Sequence, residues 1–217
     1  MTNDHLGTSR YSVGGSENAY MDTGRRVMRN LNGIIVLKEL QKAEEDALVH
    51  AYQALLGEVR SDTPMSNALL KHIHHSIFGD LYDWAGRFRT VVISKPGVTW
   101  PPPDYLDQAM KEYERDVLRK YPASSIQEND DAFCKALAHI QGEFLAIHPF
   151  REGNARSIKL LTDLLSAQTK RPILRYNMTP TGKKRYIAAA KAALIKQDYL
   201  LMEAVIHEAL TNATKPS

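Results

Sequence analysis

Residues 148–156, HPFREGNAR, bring several chemically active side chains together within nine positions. The imidazole of His148 can take a proton from a hydroxyl near neutral pH. A carboxylate such as Glu152 is the usual protein ligand for Mg²⁺ held beside phosphates. Arg156 and Lys159 fall near the start of the helix expected to follow, where cations oppose the helix dipole unless a polyanion binds. The stretch therefore predicts nucleotidyl or phosphoryl transfer.

The same stretch is predicted to form a turn between two helices. Pro149 disfavours helical geometry at His148, so the first helix should end there. Gly153 allows a close approach to the backbone, and Asn154 is predicted to be the N-cap of the next helix. Each residue alone is better explained by a helix stop and a polar turn. Six specified positions in nine residues together favour a functional site.

Two other groups of reactive side chains are not predicted to form sites. HIHH at 72–75 has no carboxylate or cysteine at the spacing of metal ligands. Cys134, the single cysteine, excludes an internal disulfide and suits a reducing compartment.

Hydrophobic periodicity predicts a helical protein. Asn129 is expected to cap a core helix whose apolar face comprises Phe133, Leu137, Ile140 and Phe144. The remaining helices are expected over 37–56, 64–78, 104–120, 154–167, 181–194 and 197–210. A short hairpin is predicted from Val91 to Trp100, with a turn at 96–97 and three prolines ending it. The predicted fold class is all-α with one short β-hairpin.

The composition predicts one domain of an ordinary globular kind. Residues 1–30 read as a polar lead-in, 31–211 as the domain with its core at about 64–195, and 212–217 as a tail. A balance of 28 basic and 25 acidic residues is too even to indicate nucleic-acid binding by charge alone, and we expect no nucleic-acid partner. With neither a signal peptide nor an 18-residue apolar run, we expect no membrane partner and a cytoplasmic location. Translocation into a host cell is left open.

The motif HPFREGNAR resembles the signature of the Fic (Fido) family, His-x-Phe-x-(Asp/Glu)-Gly-Asn-x-Arg-x-x-Arg. LYDWAGRFRTVVISK at 81–95 resembles the stretch leading into the family's flap hairpin, and RNLNGI at 29–34 resembles its N-terminal region. The resemblance covers most of residues 20–195. It implies a Fic fold, a helical bundle with a β-hairpin flap. It also implies a protein adenylyltransferase of the bacterial toxin or effector type, which moves AMP from Mg-ATP to a Tyr, Ser or Thr hydroxyl of a target protein.

The resemblance implies a role for each matching residue. His148 would be the general base, Phe150 would anchor the motif in the core, and Glu152 would hold Mg²⁺ or Mn²⁺. The nucleotide would contact Gly153, Asn154, Ala155, Arg156, Lys159 and, at the adenine, Tyr186. The flap would pair with a segment of the target protein by strand addition, through Ser94, Lys95, Gly97, Val98 and Thr99.

Two positions depart from the family pattern. Ala155 stands where the family more commonly has glycine, and Lys159 stands where it has the closing arginine. A lysine keeps the positive charge of the arginine but cannot form its bidentate hydrogen bonds. In the family that arginine meets the γ-phosphate and pairs with the glutamate of an inhibitory helix. The pattern of that helix occurs at 124–129, between core helices, where Asn129 already has a capping role. We therefore expect a separate small antitoxin to supply the helix in trans. An inactive nucleotide-binding or interaction module of the same fold, and a transferase using another nucleotide, are the alternatives.

Overall fold

The computed structural model describes residues 12–13, 19–95 and 97–215, and this part of the chain is mostly helical. Its helices are α1 (Leu37–Glu58), α2 (Asn67–Phe78), α3 (Leu106–Asp116), α4 (Ala123–Ile126), α5 (Asp130–Ile147), α6 (Asn154–Gln168), α7 (Pro180–Lys196) and α8 (Leu200–Thr214). The predicted all-α class with a short hairpin is confirmed. None of the helices in these ranges is long and apolar enough to cross a membrane.

Helix α5 lies at the centre of the core. Its predicted apolar face is fully buried, and the helix packs against α3, α4, α6, α7 and α8. Burial of each large apolar side chain contributes about 1.5–3 kcal/mol. Asn129 caps it as expected, because its side-chain oxygen accepts hydrogen bonds from the N–H groups of Asp131 at 2.7 Å and Ala132 at 3.0 Å. Helix α6 is buried to a similar extent, so the turn at 148–153 joins two elements that are both fixed by the core.

The predicted helix boundaries differ by a few residues from the observed ones; for example, α2 begins at Asn67 and α8 spans Leu200–Thr214. The helix expected over 104–120 is shorter, because 3₁₀ turns at Pro103–Tyr105 and Leu118–Lys120 stand at either end of α3. Helix α4 was not predicted, since its four residues are too few to show a helical period.

The predicted hairpin is present, but its strands are shorter than expected. It consists of β2 (Ile93–Lys95) and β3 (Val98–Thr99), and Pro96 of its turn lies outside the described residues. Gly97 has φ of 77°, a turn conformation that favours glycine. The strand β1 (Ser12–Val13) pairs antiparallel with the other edge of β2, which gives the sheet order β1-β2-β3.

Part of the predicted N-terminal lead-in belongs to the packed fold. Residues 1–11 and 14–18 lie outside the described part, as do 216–217 of the predicted tail. Val27 is only 2% exposed and packs in the main core, and Tyr20 forms an isolated antiparallel bridge with Met28. Residues 19–30 therefore pack against the helices, and β1 joins the hairpin.

Candidate active site

The turn between α5 and α6 begins at His148 in the left-handed conformation. His148 ends α5 with φ of 53° and ψ of 58°, and its N–H donates to the Phe144 carbonyl at 2.8 Å. The predicted end of the helix at this residue is confirmed. A non-glycine residue in this region costs on the order of 1 kcal/mol.

Phe150 and Asn154 lock the middle of the turn. The Asn154 amide donates to the Phe150 carbonyl at 2.7 Å and accepts the Phe150 N–H at 2.9 Å. Both residues are buried, and the Phe150 ring is fully enclosed. The prediction that Asn154 is the N-cap of α6 is wrong. Gly153 holds that position, because the Asn154 side chain is turned back to Phe150.

Gly153 is required at its position for two independent reasons. Its φ is 78°, a left-handed conformation that L side chains rarely adopt. A Cβ atom there would also lie 2.2 Å from a ring carbon of Phe78 on α2. The turn therefore passes directly over an aromatic ring. The first N–H groups of α6 follow at once, and they have no acceptor within the helix.

His74 on α2 supports the turn from below. Its Nδ1 accepts the Gly86 N–H at 2.8 Å, so its Nε2 carries the proton and donates to the Glu152 carbonyl at 3.1 Å. The ring stacks on Phe150 with centroids 3.9 Å apart. Burial lowers the pKa of His74 to about 3, so the ring is neutral at physiological pH.

Arg89 ties the turn to the base of the flap. Its Nε donates to the His148 carbonyl at 2.9 Å, and its backbone N–H donates to the Pro149 carbonyl at 2.8 Å. Its two terminal nitrogens donate to the Val91 carbonyl at 2.8 Å and the Pro101 carbonyl at 2.7 Å. These carbonyls flank the hairpin on both sides. One buried guanidinium thus fixes the hairpin relative to His148.

The His148 ring is held in one tautomer. Its Nδ1 lies 3.2 Å from the Leu145 carbonyl, which can only accept, so Nδ1 donates. In the neutral ring Nε2 then carries the lone pair that could take up a proton. The Trp100 indole packs against the imidazole at 4.2 Å and donates its Nε1–H to the same carbonyl at 3.0 Å.

Arg156 lies in a network of charged and aromatic groups. Its guanidinium donates to the Glu44 carboxylate of α1 at 2.8 Å and lies 3.9 Å from the Glu152 carboxylate. The guanidinium also lies over the Phe78 ring, 4.5 Å from its centroid. The Glu152 carboxylate accepts the Gly153 N–H at 3.1 Å. The first turn of α6 therefore carries a cation whose charge is partly balanced before any ligand binds.

These groups line one cleft of about 590 Å³, within the range of small-molecule sites. The turn and α6 contribute His148, Glu152, Gly153, Ala155 and Arg156, α1 contributes Glu44 and Glu45, and α7 contributes Tyr186. The flap contributes Lys95 and Val98. Ser94 and Thr99 oppose each other in the register and alternate with Lys95 and Val98. Ser94 and Thr99 therefore point to the other face of the hairpin.

Lys159 lies away from His148. It lines a smaller neighbouring cleft of about 340 Å³, which shares Ala155, Arg156 and Tyr186 with the first. Its Nζ lies 4.2 Å from the ring centroid of Tyr176 and 4.1 Å from that of Tyr186. Burial lowers the pKa of Lys159 to about 8. The Tyr186 hydroxyl donates to the buried Gln141 at 2.8 Å, so one face of its ring and its hydroxyl are already engaged.

Sequence reasoning missed four residues of this site: Glu44, His74, Arg89 and Trp100. His74 was considered only as part of a metal pattern, and Trp100 only as the end of a strand. Glu44 lies in a segment without a chemical motif, and Arg89 lies in the stretch 81–95, to which no chemical role was assigned. Their partners are 112 and 59 positions away in the chain, so no local spacing reveals them.

A comparison with protein families agrees with this geometry. Residues 64–166, which run from just before α2 to near the end of α6, match the model of the Fic/DOC family. Residues 64–166 therefore form a domain of the Fic/DOC family. The match contains the motif turn, the flap and the residues that connect them.

Curated relatives are similar at modest identity. Protein adenylyltransferase VbhT of Bartonella schoenbuchensis is 30% identical over 145 residues, which are 67% of this chain and 30% of that protein. The probable protein adenylyltransferase y4lH of Sinorhizobium fredii is 28% identical over 144 residues, 66% of this chain and 72% of that protein. The chain thus spans less than a third of one relative and nearly three quarters of the other.

Solved structures agree on the fold. The Fic domain of the effector Bep8 from Bartonella sp. 1-1C superposes with a TM-score of 0.72 at 18% identity, covering 88% of this chain and 91% of that one. BepC from Bartonella tribocorum, crystallised with AMPPNP, gives 0.68 at 17% identity, covering 84% and 91%. At these identities the likeness establishes a shared Fic fold.

Proposed function

We propose that this Fic domain is a protein adenylyltransferase that transfers AMP from ATP to a Tyr, Ser or Thr hydroxyl of a target protein. The observation that carries the proposal is the single cleft shared by His148, Glu152, the first turn of α6 and the flap. Relatives named protein adenylyltransferase and a Fic neighbour holding an ATP analogue support the choice of reaction and nucleotide.

The geometry suits each step of that reaction. The target hydroxyl oxygen attacks the α-phosphorus, His148 Nε2 takes its proton, and the bond to pyrophosphate breaks. Gly153, Asn154 and Ala155 present backbone to the phosphates at a helix N-terminus, and Arg156 meets the β-phosphate. Phe150 keeps these groups in register by anchoring the turn. Tyr186 closes the far side of the cleft, where we place the adenine.

Glu152 is suited to hold the Mg²⁺ or Mn²⁺ that accompanies ATP. No group of three or more potential ligands is found in the part of the chain that the structure describes, so phosphate oxygens and water would supply most of the ligands. One carboxylate with phosphate oxygens and water is a common set of ligands for Mg²⁺. When bound, the ion would neutralise charge on the phosphates.

We propose that the target segment adds to the flap as a strand, at the outer edge of β3. The outer edge of β2 is paired with β1. Within the described residues, β3 has no second strand partner. Lys95 and Val98 face the cleft and would contact target side chains near the reacting hydroxyl. The turn at Gly97 joins the two strands. Ser94 and Thr99 lie on the face of the hairpin opposite to Lys95 and Val98.

A second proposed partner is a separate small antitoxin. The cleft is bordered by α1 on one side and α7 on the other, which leaves room between two helices. A helix supplied in trans would fill this space and exclude the nucleotide. We propose a bacterial cell as the setting and neither nucleic acid nor membrane as a partner.

The test is transfer of label from ATP to protein. With ATP labelled on the α-phosphate, we expect labelled protein when the chain, Mg²⁺ and a bacterial lysate are mixed, and none after chelation. Mass spectrometry should find AMP on a hydroxyl residue. ATP labelled on the γ-phosphate should label nothing, because that phosphate leaves in pyrophosphate.

Two outcomes would overturn the assignment. Label from the γ-phosphate would indicate a kinase. Binding of ATP with no label on the lysate or on the chain itself would favour a non-catalytic module. Repeating the assay with UTP, GTP and CDP-choline separates adenylylation from transfer of another group.

A further inference from the structure

Glu44 on α1 belongs to none of the motif stretches, yet it contacts the residue to which we assign the β-phosphate. One carboxylate oxygen accepts a hydrogen bond from Arg156 at 2.8 Å. The other accepts the Tyr82 hydroxyl at 2.5 Å. Both oxygens are thus committed, and the Glu44 side chain is only 14% exposed.

Tyr82 holds this carboxylate in place with a hydrogen bond from a buried residue. Its ring is 1% exposed and stacks on Trp84 with centroids 4.5 Å apart. A carboxylate held by a buried hydroxyl cannot swing aside when a ligand arrives. Moving it would leave both the Tyr82 hydroxyl and a half-buried charge without partners.

Arg156 is consequently fixed from two directions. Glu44 holds one terminal nitrogen, and the Phe78 ring lies beneath the guanidinium plane. An arginine has five N–H donors, so enough remain for phosphate oxygens. A free arginine on this surface would have to be ordered at each binding event, which would weaken binding.

We propose that Glu44 is a positioning residue that orients Arg156 for the β-phosphate of the bound nucleotide. The inference rests on the proposed function for the identity of the ligand. It predicts that Glu44 matters for nucleotides with a β-phosphate and is irrelevant to AMP. A residue that only stabilised the fold would affect all nucleotides alike.

The experiment compares ATP, ADP and AMP binding by calorimetry for several variants. Glu44→Ala and Glu44→Met should weaken ATP and ADP by about three- to tenfold, the cost of ordering one side chain. AMP should bind as before. Glu44→Gln keeps an acceptor for Arg156 and should restore most of the affinity. Glu39→Ala is the matched control, since Glu39 is an exposed glutamate of the same helix that lines neither cleft.

Other outcomes would overturn the proposal. Unchanged or tighter ATP binding by Glu44→Met would make Glu44 a bystander or a competitor. An equal loss for AMP would indicate a structural role. In an Arg156→Lys background, Glu44→Met should have no further effect. The experiment measures binding alone. If the protein binds ATP but transfers nothing, the proposed function is wrong, and the role of Glu44 in binding is still tested. A chain that binds neither ATP nor ADP overturns both.

Discussion

The turn at 148–153 and the flap face the same cleft, but they are held in very different ways. Four carbonyls of the turn, at 148, 149, 150 and 152, each accept a hydrogen bond from Arg89, Asn154 or His74. The flap consists of strands of three and two residues, joined to the rest by a small cluster around Trp100. One side of the cleft is fixed by the core, whereas the other consists of short strands that are held by contacts at their base.

The difference suits a division of labour. A proton acceptor and a phosphate site need fixed geometry, because small displacements cost large factors in rate. A surface that receives a segment of another protein gains from open backbone groups along a strand edge. Arg89 connects the two parts, since it bonds to the turn and to both ends of the hairpin. Substitutions in the turn should therefore affect chemistry, and those in the flap should affect target recognition.

The largest expected effect comes from the turn itself. His148→Ala removes the proposed proton acceptor and should reduce the rate of transfer by roughly 10² to 10⁴. Affinity for ATP should remain close to that of the wild type, because the phosphate groups contact other residues. Single-turnover transfer and nucleotide titration measure the two quantities separately.

The matched control is His50→Ala, at an exposed position on α1. This variant should transfer AMP at the wild-type rate. If His148→Ala kept full transfer activity, the assignment of the base would be wrong. An equal loss of ATP affinity would indicate that the imidazole supports the turn and has no part in proton transfer.

The sequence predicts the position of the turn better than it predicts the distant residues that contact the turn. The helices on either side follow from hydrophobic period, and Asn129 follows from its capping preference, because both signals are local. The role of Asn154 could not be predicted, since a good capping residue can also turn its side chain back to the preceding loop. The contacts of His74 and Glu44 span 78 and 112 positions, and only the assembled core brings them together.

A substitution in the flap should have a smaller effect, limited to binding of the target protein. In this register Ser94 and Thr99 form a pair whose N–H groups point away from each other, so the Thr99 N–H lies on the outer edge of β3. Thr99→Pro removes that donor and should raise the KM for the target protein by up to about tenfold, the worth of one hydrogen bond. The KM for ATP and the intrinsic rate should not change.

Thr99→Val, which keeps the backbone donor, is the control for Thr99→Pro. A second arm tests the other edge, where Ser12→Pro would weaken the pairing of β1 with β2. If Ser12→Pro lowered the KM for the target while Thr99→Pro had no effect, the target would bind by displacing β1. The proposed edge would then be wrong.

The smallest expected effect concerns Lys159, one helical turn beyond Arg156 on α6. It tests whether the nucleotide site extends to this residue. Burial lowers the pKa of this ammonium to about 8, whereas an arginine stays charged. As the pH rises from 7 to 9, wild-type affinity for ATP should therefore fall more than that of Lys159→Arg. The difference should be on the order of 1 kcal/mol, or about fivefold. The same substitution should strengthen binding of an inhibitory partner by a similar amount, because a guanidinium can form a forked pair with a glutamate.

Stability gives a second measure of Lys159 that does not depend on any ligand. Its pKa is lower in the folded chain than the ordinary 10.5, so between pH 8 and 10 the unfolded chain binds the extra proton. The free energy of unfolding should then rise with pH by about 1 kcal/mol per unit, relative to Lys159→Arg. Lys183→Arg is the control, since Lys183 is exposed in the same smaller cleft. Parallel pH profiles for all three proteins would show that Lys159 is not desolvated in solution. If stability depended on pH but Lys159→Arg left the affinities for ATP and for the partner unchanged, Lys159 would stabilise the cleft without contacting the nucleotide.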